Sequence, residues 1–474
     1  MDTKALRQKI LDLAIHGKLV SQDPNDEPAS VLLERIRAEK ERLIKEGKIK
    51  KGKKSAKTSD KPHYPFEQPK GWVWTTIEDV CSKIGSGSTP KGSNYSKEGI
   101  PFFRSQNVYN SGIVMSDIKY ISDEIHQMMI GTEVVANDLL LNITGGSLGR
   151  CAVIPSNFEK GNVSQHVCIL RPIVIKPEFL HCFILSSFFA KSMKITGSGR
   201  EGLPKYNLEK MLLPLPPEQE QERIVAETKR LQSFVDELET SCENMTKLVA
   251  QVKSKVLDLA IHGKLVPQDP NDEPASELLK RINPKAEIIT DNGHYQKVVP
   301  FKLPNGWSWT TLGSITNYGS CTTSDVLQIS DSAWVLELED IEKDSAKILS
   351  IHTKKDREIK GVRRSFKKGE ILYSKLRTYL NKVLVASQDG FCTTEIIPIS
   401  VSSVIDNIFL CHVLRSQYFL DYTSVCGYGV KMPRLSTKDA QNGLVPLPPR
   451  KEQLRIVSKI EELFHQLDII EESL

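Results

Sequence analysis

A ten-residue segment, LDLAIHGKLV, occurs at residues 11–20 and again, letter for letter, at 257–266 of this chain of 474 residues. The match extends over 9–36 and 255–282, which differ at only four aligned positions (10/256, 21/267, 31/277 and 34/280). Near-identity at this distance constrains the fold strongly, because both copies must make the same contacts with whatever surrounds them. The chain is therefore predicted to consist of two similar units.

Three further stretches recur in the same order. PKGWVWTT (69–76) returns as PNGWSWTT (304–311), FLHCFILSS (179–187) returns loosely as FLCHVLRSQ (409–417), and LLPLPPEQEQERIV (212–225) returns as LVPLPPRKEQLRIV (444–457). We call the largely divergent segments at about 77–210 and 312–440 insert 1 and insert 2, and the repeated stretches outside them the frame. FLHCFILSS is predicted to be a buried helix. Trp72, Trp74, Trp307 and Trp309 are predicted to be core anchors rather than stacking platforms.

Apolar or small residues recur at alternating spacings of four and three from Ile224 to Leu259. This heptad pattern predicts a helix that buries one stripe against a partner helix. Its 36 residues would make a rod of roughly 54 Å at ~1.5 Å per residue. The residues predicted to form the coiled coil and the subunit-docking surface are Ile224, Leu231, Val235, Leu238, Val252, Val256, Ile456, Ile460, Leu463 and Leu467.

The two terminal segments together correspond to one copy of this central helix. The second unit begins the heptad pattern again at Ile456, and Leu6 and Ile10 match Val252 and Val256 in the repeat. We therefore predict two long antiparallel helices, one continuous and one split, in a cyclic repeat with a pseudo-twofold axis. The alternative, two unrelated amphipathic helices, leaves the matching register unexplained.

Positive charge is concentrated in two runs, although the net charge is only +5. Residues 35–61 contain twelve Lys or Arg and four acidic residues, whereas residues 354–382 contain eleven and three. The first run has almost no apolar residues after position 47, which favours a solvated helix and a flexible tether. The second is interleaved with apolar residues, so we expect a folded positive face that meets phosphate.

The nine cysteines show neither a Cys-x-x-Cys pair nor a Cys/His spacing suited to zinc. We expect reduced thiols in a cytoplasmic protein. The N-terminal segment lacks the apolar core of a signal peptide, and the longest apolar stretch, FLHCFILSSFFA (179–190), is too short to span a bilayer. No membrane partner is expected.

The sequence contains no recognisable catalytic motif. His16 and His262 have no partner at ligand spacing, which favours packing or capping roles. GSGREG (197–202) fits the glycine pattern of a dinucleotide loop but precedes a proline, and GSGSTPKG (85–92) lacks the Gly-Lys-Ser/Thr ending of a phosphate loop. The sequence thus indicates a non-catalytic chain with no metal and no cofactor of its own.

The repeated blocks resemble the specificity (S) subunit of type I restriction–modification systems over essentially the whole chain. The resemblance rests on the duplicated block, the paired GW-x-W and PLPP…EQ-x-RIV stretches, and weaker strands at 137–153 and 369–385. It implies a non-catalytic subunit that directs a DNA adenine methyltransferase and restriction endonuclease complex to a bipartite, asymmetric site. Its implied partners are double-stranded DNA, two methyltransferase subunits and restriction/translocase subunits. S-adenosylmethionine, ATP and Mg²⁺ are expected only on those partner subunits.

The predicted fold is α+β, with two target-recognition domains, each a twisted β-sheet with helices, joined by two long antiparallel coiled-coil helices. The predicted boundaries are 1–36 for half of the split helix and the repeated block, 37–65 for a basic helix and linker, 66–217 for recognition domain 1, 218–262 for the central helix, 263–297 for the second block and linker, 298–449 for recognition domain 2, and 450–474 for the other half of the split helix.

Reading of bases requires donors and acceptors on exposed loops. The residues predicted to contact DNA are Lys91, Arg104, Gln106, Asn107, Gln165, Arg200 and Lys205 in the first domain and Lys375, Arg377, Tyr379, Lys431 and Arg434 in the second. Each has an alternative role as a surface charge or a packing residue. Two other functions stay open: a coiled-coil scaffold that binds proteins only, without salt-dependent affinity for DNA, and a self-sufficient enzyme, which no motif supports.

Overall fold

The structure, a computed structural model, describes residues 2–49, 64–90, 92, 94–196, 202–282, 299–429 and 431–474. The chain divides into two compact units, Met1–Ser241 and Cys242–Leu474. Residues 50–63 of the predicted basic helix and linker (37–65), residues 283–297 of the predicted second block and linker (263–297) and most of GSGREG lie outside the described residues.

Unit 1 contains the first half of the elements and the start of the longest helix. Its helices are α1 (Thr3–Ile15), α2 (Ala29–Lys45), α3 (Ile77–Val80), α4 (Asp123–Met128), α5 (Pro177–Ile184), α6 (Ser187–Ser192), α7 (Lys205–Glu209) and α8 (Glu218–Ile261), which continues into unit 2. Its strands are β1 (Val73–Thr76), β2 (Cys81–Ser86), β3 (Ile100–Phe103), β4 (Val108–Tyr109), β5 (Gly112–Ile113), β6 (Lys119–Ile121), β7 (Glu133–Val134), β8 (Leu139–Asn142), β9 (Cys151–Val153), β10 (Gly161–Val163), β11 (Val167–Pro172) and β12 (Leu212–Leu215).

Unit 2 repeats this order with its own lengths. Its further helices are α9 (Ala275–Ile282), α10 (Leu312–Ile315), α11 (Asn407–Arg415), α12 (Gln417–Cys426), α13 (Thr437–Asn442) and α14 (Arg450–Ser473). Its strands are β13 (Ser308–Thr311), β14 (Thr323–Asp325), β15 (Val335–Leu336), β16 (Val362–Phe366), β17 (Ile371–Ser374), β18 (Val383–Val385), β19 (Gly390–Cys392), β20 (Ile396–Ile399) and β21 (Leu444–Leu447). The mixed α+β class and the long central helix are confirmed.

One antiparallel strand pair opens and closes the insert of each unit. β1 pairs with β12, with Val73 opposite Leu215, and β13 pairs with β21, with Ser308 opposite Leu447. The GW-x-W and PLPP stretches are therefore neighbours in space, which explains why they recur together. Each of these sheets has only two strands, so every strand in it is an edge strand. An edge strand tolerates proline, which has no backbone N–H to donate.

The sheet predicted for each insert is divided into smaller sheets. In unit 1 the strand orders are β6–β3–β10–β7 and β2–β11–β8–β9, and in unit 2 they are β14–β16–β19–β15 and β18–β17–β20. Most strands are only two to four residues long, and within each insert the two larger sheets share no hydrogen-bonded strand. The core strands predicted at 137–153 and 369–385 are the antiparallel pairs β8–β9 and β17–β18.

The predicted buried helix is α5 in unit 1 and α11 in unit 2. Phe179 and Phe183 of α5 and Phe409 and Leu414 of α11 are buried in the main core of their own unit. Of the four predicted tryptophan anchors, Trp72, Trp307 and Trp309 are buried and Trp74 is half-buried. These stretches recur because each unit needs the same core.

The duplicated segment ends a helix in both units. α1 ends with a hydrogen bond from Lys18 N to Leu13 O (2.9 Å), and α8 ends with the equivalent bond from Lys264 N to Leu259 O (2.8 Å). Gly17 and its counterpart Gly263 have φ of +64° and +65°, the left-handed conformation that such helix ends require. A Cβ at either glycine would also collide with the ring of the proline in the PKGW or PNGW stretch.

The two repeated histidines have packing roles. His16 stacks on Phe66 with ring centroids 4.1 Å apart, and its Nδ1 lies 2.6 Å from Asp12 O. His262 stacks on Phe301 at 3.9 Å, with its Nδ1 2.7 Å from Asp258 O. Each ring therefore fixes the end of its helix against the chain that enters the insert, as the sequence predicts.

A buried carboxylate at the first turn of each long helix joins three repeated stretches. Glu220 accepts hydrogen bonds from Trp72 Nε1 (2.9 Å) and Gln22 Nε2 (3.0 Å), and the same glutamine also donates to Gly17 O (2.8 Å). This group of residues, with its counterpart in unit 2, is called the carboxylate cluster below.

The carboxylate cluster of unit 2 reproduces these contacts. Glu452 accepts from Trp307 Nε1 and Gln268 Nε2, both at 3.1 Å, and Gln268 donates to Gly263 O at 2.6 Å. Burial raises the pKa of Glu452, against the opposing effect of the hydrogen bonds from Gln268 and Trp307. The duplicated sequence thus encodes a duplicated buried contact.

Within unit 1, α1 and the first half of α8 run antiparallel. Arg7 pairs with Asp236 (2.6 Å) and Glu239 (2.8 Å), whereas Asp26, later in the chain, pairs with the earlier Arg223 (2.5 Å). Residue numbers increase from Arg7 to Asp26 while those of their partners on α8 decrease from 236–239 to 223, which is the order of an antiparallel pair. This is the pairing that the sequence predicts for one half of the split helix.

Within unit 2, the last part of α8 and α14 repeat this arrangement. Lys253 pairs with Asp468 (2.7 Å) and Glu471 (2.8 Å), and Asp272 pairs with Arg455 (2.7 Å). These residues are the repeat equivalents of Arg7, Asp236, Glu239, Asp26 and Arg223. The ion pairs define a register that is the same in both units.

The predicted heptad seam is buried at some positions of α8 and exposed at others. Ile224, Val235, Val249 and Val256 are buried, whereas Leu238, Met245 and Val252 are 40%, 41% and 38% exposed. In the other half-helix, Ile456 and Ile460 are buried, and Leu463 and Leu467 are half-buried, as is Leu231 on α8. The buried residues form the core of this chain, so a subunit-docking role is available only to the exposed ones.

We predict that Glu452→Ala and Glu220→Ala each destabilise their own unit by about 2–5 kcal/mol, because a buried indole N–H and an amide N–H lose their acceptor. Hydrogen exchange resolved by peptide would measure this as faster local opening in the unit that carries the change. Glu222→Ala is the matched control, since Glu222 is 60% exposed and pairs only with Lys176. Equal effects of Glu222→Ala and Glu220→Ala would contradict the role of the carboxylate cluster.

Candidate nucleic-acid interface

In unit 2, two loops that carry predicted DNA-binding residues lie side by side. Residues 375–381 follow β17, and residues 427–434 follow α12. Arg377 N donates to Pro433 O (2.7 Å), Leu435 N donates to Lys375 O (2.9 Å), and Leu376 bridges to Arg434. The structure therefore brings together the loops of all five residues predicted for this unit: Lys375, Arg377, Tyr379, Lys431 and Arg434.

Most of these side chains are accessible. Tyr379 is 55% exposed and Lys431 is exposed, whereas Lys375, Arg377 and Arg434 are half-buried. Arg377 has φ of +51°, a left-handed conformation that is uncommon outside glycine and holds the turn in a sharp bend. Two side chains that sequence reasoning missed, Tyr428 and Met432, are 58% and 46% exposed on the adjacent loop.

Insert 1 has the same backbone arrangement at equivalent positions. Leu203 N donates to Ile143 O (2.9 Å), and Gly202 bridges to Thr144 and to Thr196. These contacts match those of Leu435 with Lys375 and of Arg434 with Leu376 and Tyr428, each 232 positions later. The repeat therefore continues into the inserts as backbone hydrogen bonding, although the side chains differ.

Further loops of insert 1 join the same face. Phe103 O accepts from Ser164 N (2.9 Å), Ser105 O accepts from Asn142 Nδ2 (2.9 Å), and Ile143 N donates to His166 O (3.0 Å). Arg104, Gln106 and Gln165 lie on these loops. Gln106 and Gln165 are exposed, and Thr89 Oγ1 donates to the Gln165 side chain.

The other residues predicted for insert 1 have different environments. Arg104 is half-buried and donates from Nη2 to Asp117 O (2.8 Å), and Lys205, at the start of α7, pairs with Glu209 (3.3 Å). Lys91 and Arg200 lie outside the described residues. Sequence reasoning did not identify Thr144 and His166, whose side chains lie 2.7 Å apart between these loops.

Asn107 is a structural residue and not an accessible one. It is fully buried, it donates to Val114 O (3.1 Å) and Ser116 O (3.3 Å), and it accepts from Arg104 N (3.1 Å). Its counterpart in unit 2, Asp340, is also buried and accepts from Glu337 N (2.8 Å) in an equivalent turn. We therefore remove Asn107 from the proposed DNA contacts.

Four of the eleven basic residues in the run at 354–382 pair with acids from other parts of the fold. Arg357 pairs with the buried Asp340 (2.7 Å) and Arg363 pairs with Glu337 (2.8 Å). Two lysines in the run, at 354 and 367, pair with aspartates at 331 and 389. Counting charges along the sequence could not reveal these partners, which strand pairing brings in from a distance.

Arg434, on the loop that follows α12, forms a forked ion pair with Glu395, which immediately precedes β20. Arg434 donates from Nε to Oε1 (3.3 Å) and Oε2 (3.2 Å), and from Nη2 to Oε1 (3.1 Å). The hydrogen bonds raise the pKa of Arg434. Glu395 O also accepts from Lys375 N (3.0 Å), so Glu395 contacts two of the residues predicted to bind DNA, one through its carboxylate and one through its backbone.

In the described parts of the chain, no group of three or more His, Cys, Asp or Glu side chains is arranged to hold a metal ion. Among the same residues, no helix has both the length and the apolar character that a bilayer crossing demands.

The chain is similar to one class of known proteins, the type I restriction specificity proteins. A family model described as "Type I restriction modification DNA specificity domain" matches residues 69–245. The chain is 31% identical to the type I restriction enzyme EcoAI specificity subunit of Escherichia coli, over 97% of this chain and 88% of that protein. It is 27% identical to the EcoEI specificity subunit of the same organism, over 98% and 89%.

A solved structure shares the fold. It is described as "Structural basis underlying complex assembly and conformational transition of the type I R-M system", and its matching chain has a TM-score of 0.55 at 19% identity. The match covers 86% of this chain and 94% of that one.

We predict that Asn107→Ala destabilises the turn at 104–116 by about 2–4 kcal/mol, because the three hydrogen bonds of its side chain, to Val114 O, Ser116 O and Arg104 N, are lost. Gln106→Ala, one residue away on the surface, should change stability by less than about 0.5 kcal/mol. Hydrogen exchange of peptides covering 100–120 distinguishes the two. An Asn107→Ala chain with unchanged exchange would restore Asn107 as a candidate for direct contact with DNA.

Proposed function

Because this chain belongs to the family of type I restriction enzyme specificity subunits, we propose that its two units read the two halves of one bipartite, asymmetric DNA site. DNA sequence recognition is the function of this family. The observation that carries the proposal is the equivalence of the two loop faces. The same backbone hydrogen bonds recur 232 positions apart, while the exposed side chains differ. Loops that are held by the same backbone hydrogen bonds but present different side chains are suited to two half-sites of different sequence.

The proposed contacts to DNA are those predicted side chains that can reach a ligand. In unit 2 the proposed groups are four cationic side chains and one tyrosine, which can donate hydrogen bonds to base edges and to phosphates. In unit 1 the accessible groups are amides and hydroxyls with fewer charges. The proposed contacts are Arg104, Gln106, Gln165, Lys205, Lys375, Arg377, Tyr379, Lys431 and Arg434, with Lys91 and Arg200 proposed from the sequence alone.

We further propose that the frame binds two methyltransferase subunits, with restriction subunits joining the assembly. The support is the duplicated frame, which presents the same helix ends and the same ion pairs in each unit. S-adenosylmethionine, ATP and Mg²⁺ are proposed to bind those partners. All nine cysteines are free thiols, which supports a cytoplasmic location.

The duplicated frame predicts that one chain binds two copies of the methyltransferase subunit encoded with it. Native mass spectrometry of the purified complex measures this stoichiometry directly. The Glu452→Ala chain, in which only the second frame is disturbed, should bind one copy less, while Glu222→Ala should keep both. A complex that saturates at one copy per unaltered chain would contradict the proposal.

The continuous helix α8 is proposed to set the spacing between half-sites. Its 44 residues span about 66 Å at ~1.5 Å per residue. DNA advances ~3.4 Å per base pair, and two readers that approach from one side favour half-site centres about one turn apart. This leaves a non-specific spacer of about five to nine base pairs.

Insertion of four residues after Met245, slightly more than one helical turn, should therefore lengthen the preferred spacer and leave both half-sites unchanged. Substitution of Arg104 or Arg377 should do the opposite and alter one half-site only. Methylome sequencing of cells that express each variant with the methyltransferase subunit measures both effects. If the insertion changed the recognised bases and not the spacer, α8 would not set the spacing between the half-sites.

A further inference from the structure

Arg434 is held so that one edge of its guanidinium stays available. Its Nε and Nη2 atoms donate to Glu395, while Nη1 has no hydrogen-bond partner among the described residues. The backbone is fixed on both sides, because Arg434 N donates to Tyr428 O (2.9 Å) and Tyr428 N donates to Arg434 O (3.0 Å). The Arg434 side chain is 36% exposed and that of Glu395 is 23% exposed.

The available edge matches one base in particular. Nη1 and the second N–H of Nη2 form a pair of parallel donors, and such a pair fits two acceptors that lie side by side. In the major groove only guanine offers two acceptors, O6 and N7, on one base. A guanidinium whose other edge is already bound to a carboxylate is oriented before DNA arrives, which lowers the entropy cost of the contact.

We propose that Arg434, positioned by Glu395, reads a guanine in the half-site bound by unit 2. The inference rests on the proposed function and assigns a base and a positioning residue to one of its readers. Glu395 acts through Arg434 and need not touch DNA itself.

A phosphate contact is the main competing role for Arg434, and the ion pair argues against it. The Glu395 carboxylate lies against the guanidinium and would repel a phosphate brought to the same place. Base edges carry no net charge, so the carboxylate imposes no such penalty on a guanine contact. The pair therefore favours recognition of a base over neutralisation of the backbone.

Unit 1 lacks this reader. At the equivalent position stands Gly202, and the backbone bond that Lys375 N makes to Glu395 O is made by Ile143 N to His166 O (3.0 Å). Neither glycine nor histidine can reproduce the two-donor edge of an arginine. The guanine contact is thus expected in one half-site only.

Four variants test the proposal, each by methylome sequencing of cells that express the variant chain with its methyltransferase subunit. Arg434→Ala and Arg434→Lys should relax one guanine of one half-site, lowering its preference roughly 5- to 150-fold, since a bidentate contact contributes about 1–3 kcal/mol of discrimination. Glu395→Ala should relax the same position while affinity for non-specific DNA is unchanged or higher. Glu395→Gln, which keeps one oxygen acceptor, should restore part of the preference.

Lys367→Ala is the matched control, because it breaks an exposed ion pair with Asp389 in the same unit and should change no base. If Arg434→Ala weakens binding evenly across sequences and lowers the salt slope by about one, the residue contacts phosphate and the proposal is overturned. It is also overturned if Glu395→Ala affects both half-sites equally, as a general loss of stability would. Failure of the proposed function is recognised separately, by an unaltered chain with no sequence preference.

Discussion

The buried carboxylate at the start of each long helix is the contact on which the other repeated features depend. Glu220 and Glu452 are each only 1% exposed, and an ionised group so placed is costly unless several donors surround it. Those donors come from two different stretches of the repeat: the glutamine after LDLAIHGKLV and the first tryptophan of GW-x-W. The glutamine is fixed in turn by the carbonyl of the left-handed glycine. Three recurring stretches of sequence are therefore three parts of one contact.

Equivalent loops of the two inserts share backbone hydrogen bonds and differ in their side chains. This separation has a physical basis, since a backbone hydrogen bond between loops is indifferent to the side chains that project from them. Arg434 and Gly202 occupy the same place and make the same bridges, yet one presents a guanidinium and the other presents none. Recognition can thus change at such a position without any change to the hydrogen bonds that hold the loops.

The frame could be predicted from the sequence, because repetition and heptad spacing report local structure and burial directly. The long helix, the buried helix in each insert and the packing of His16 and His262 all followed from short patterns. Contacts between distant segments did not. The basic run at 354–382 has acidic partners that only the fold brings near, and Asn107 is buried by loops that follow it in the chain. Leu238 and Met245, near the middle of the heptad seam, are exposed although the spacing is regular there. The spacing predicts an apolar stripe but does not show where along it a partner helix packs.

The antiparallel pairs β1–β12 and β13–β21 have a consequence for how such a chain can vary. Residues opposite each other in these pairs have Cα atoms about 4.5–5.5 Å apart, so each insert leaves the frame and returns to it at nearly the same point. An insert attached in this way behaves as a cassette: its length and content can change while both attachment points stay where they are. Exchange of whole inserts between chains with matching attachment strands would then transfer one specificity at a time, without any redesign of the frame that carries it.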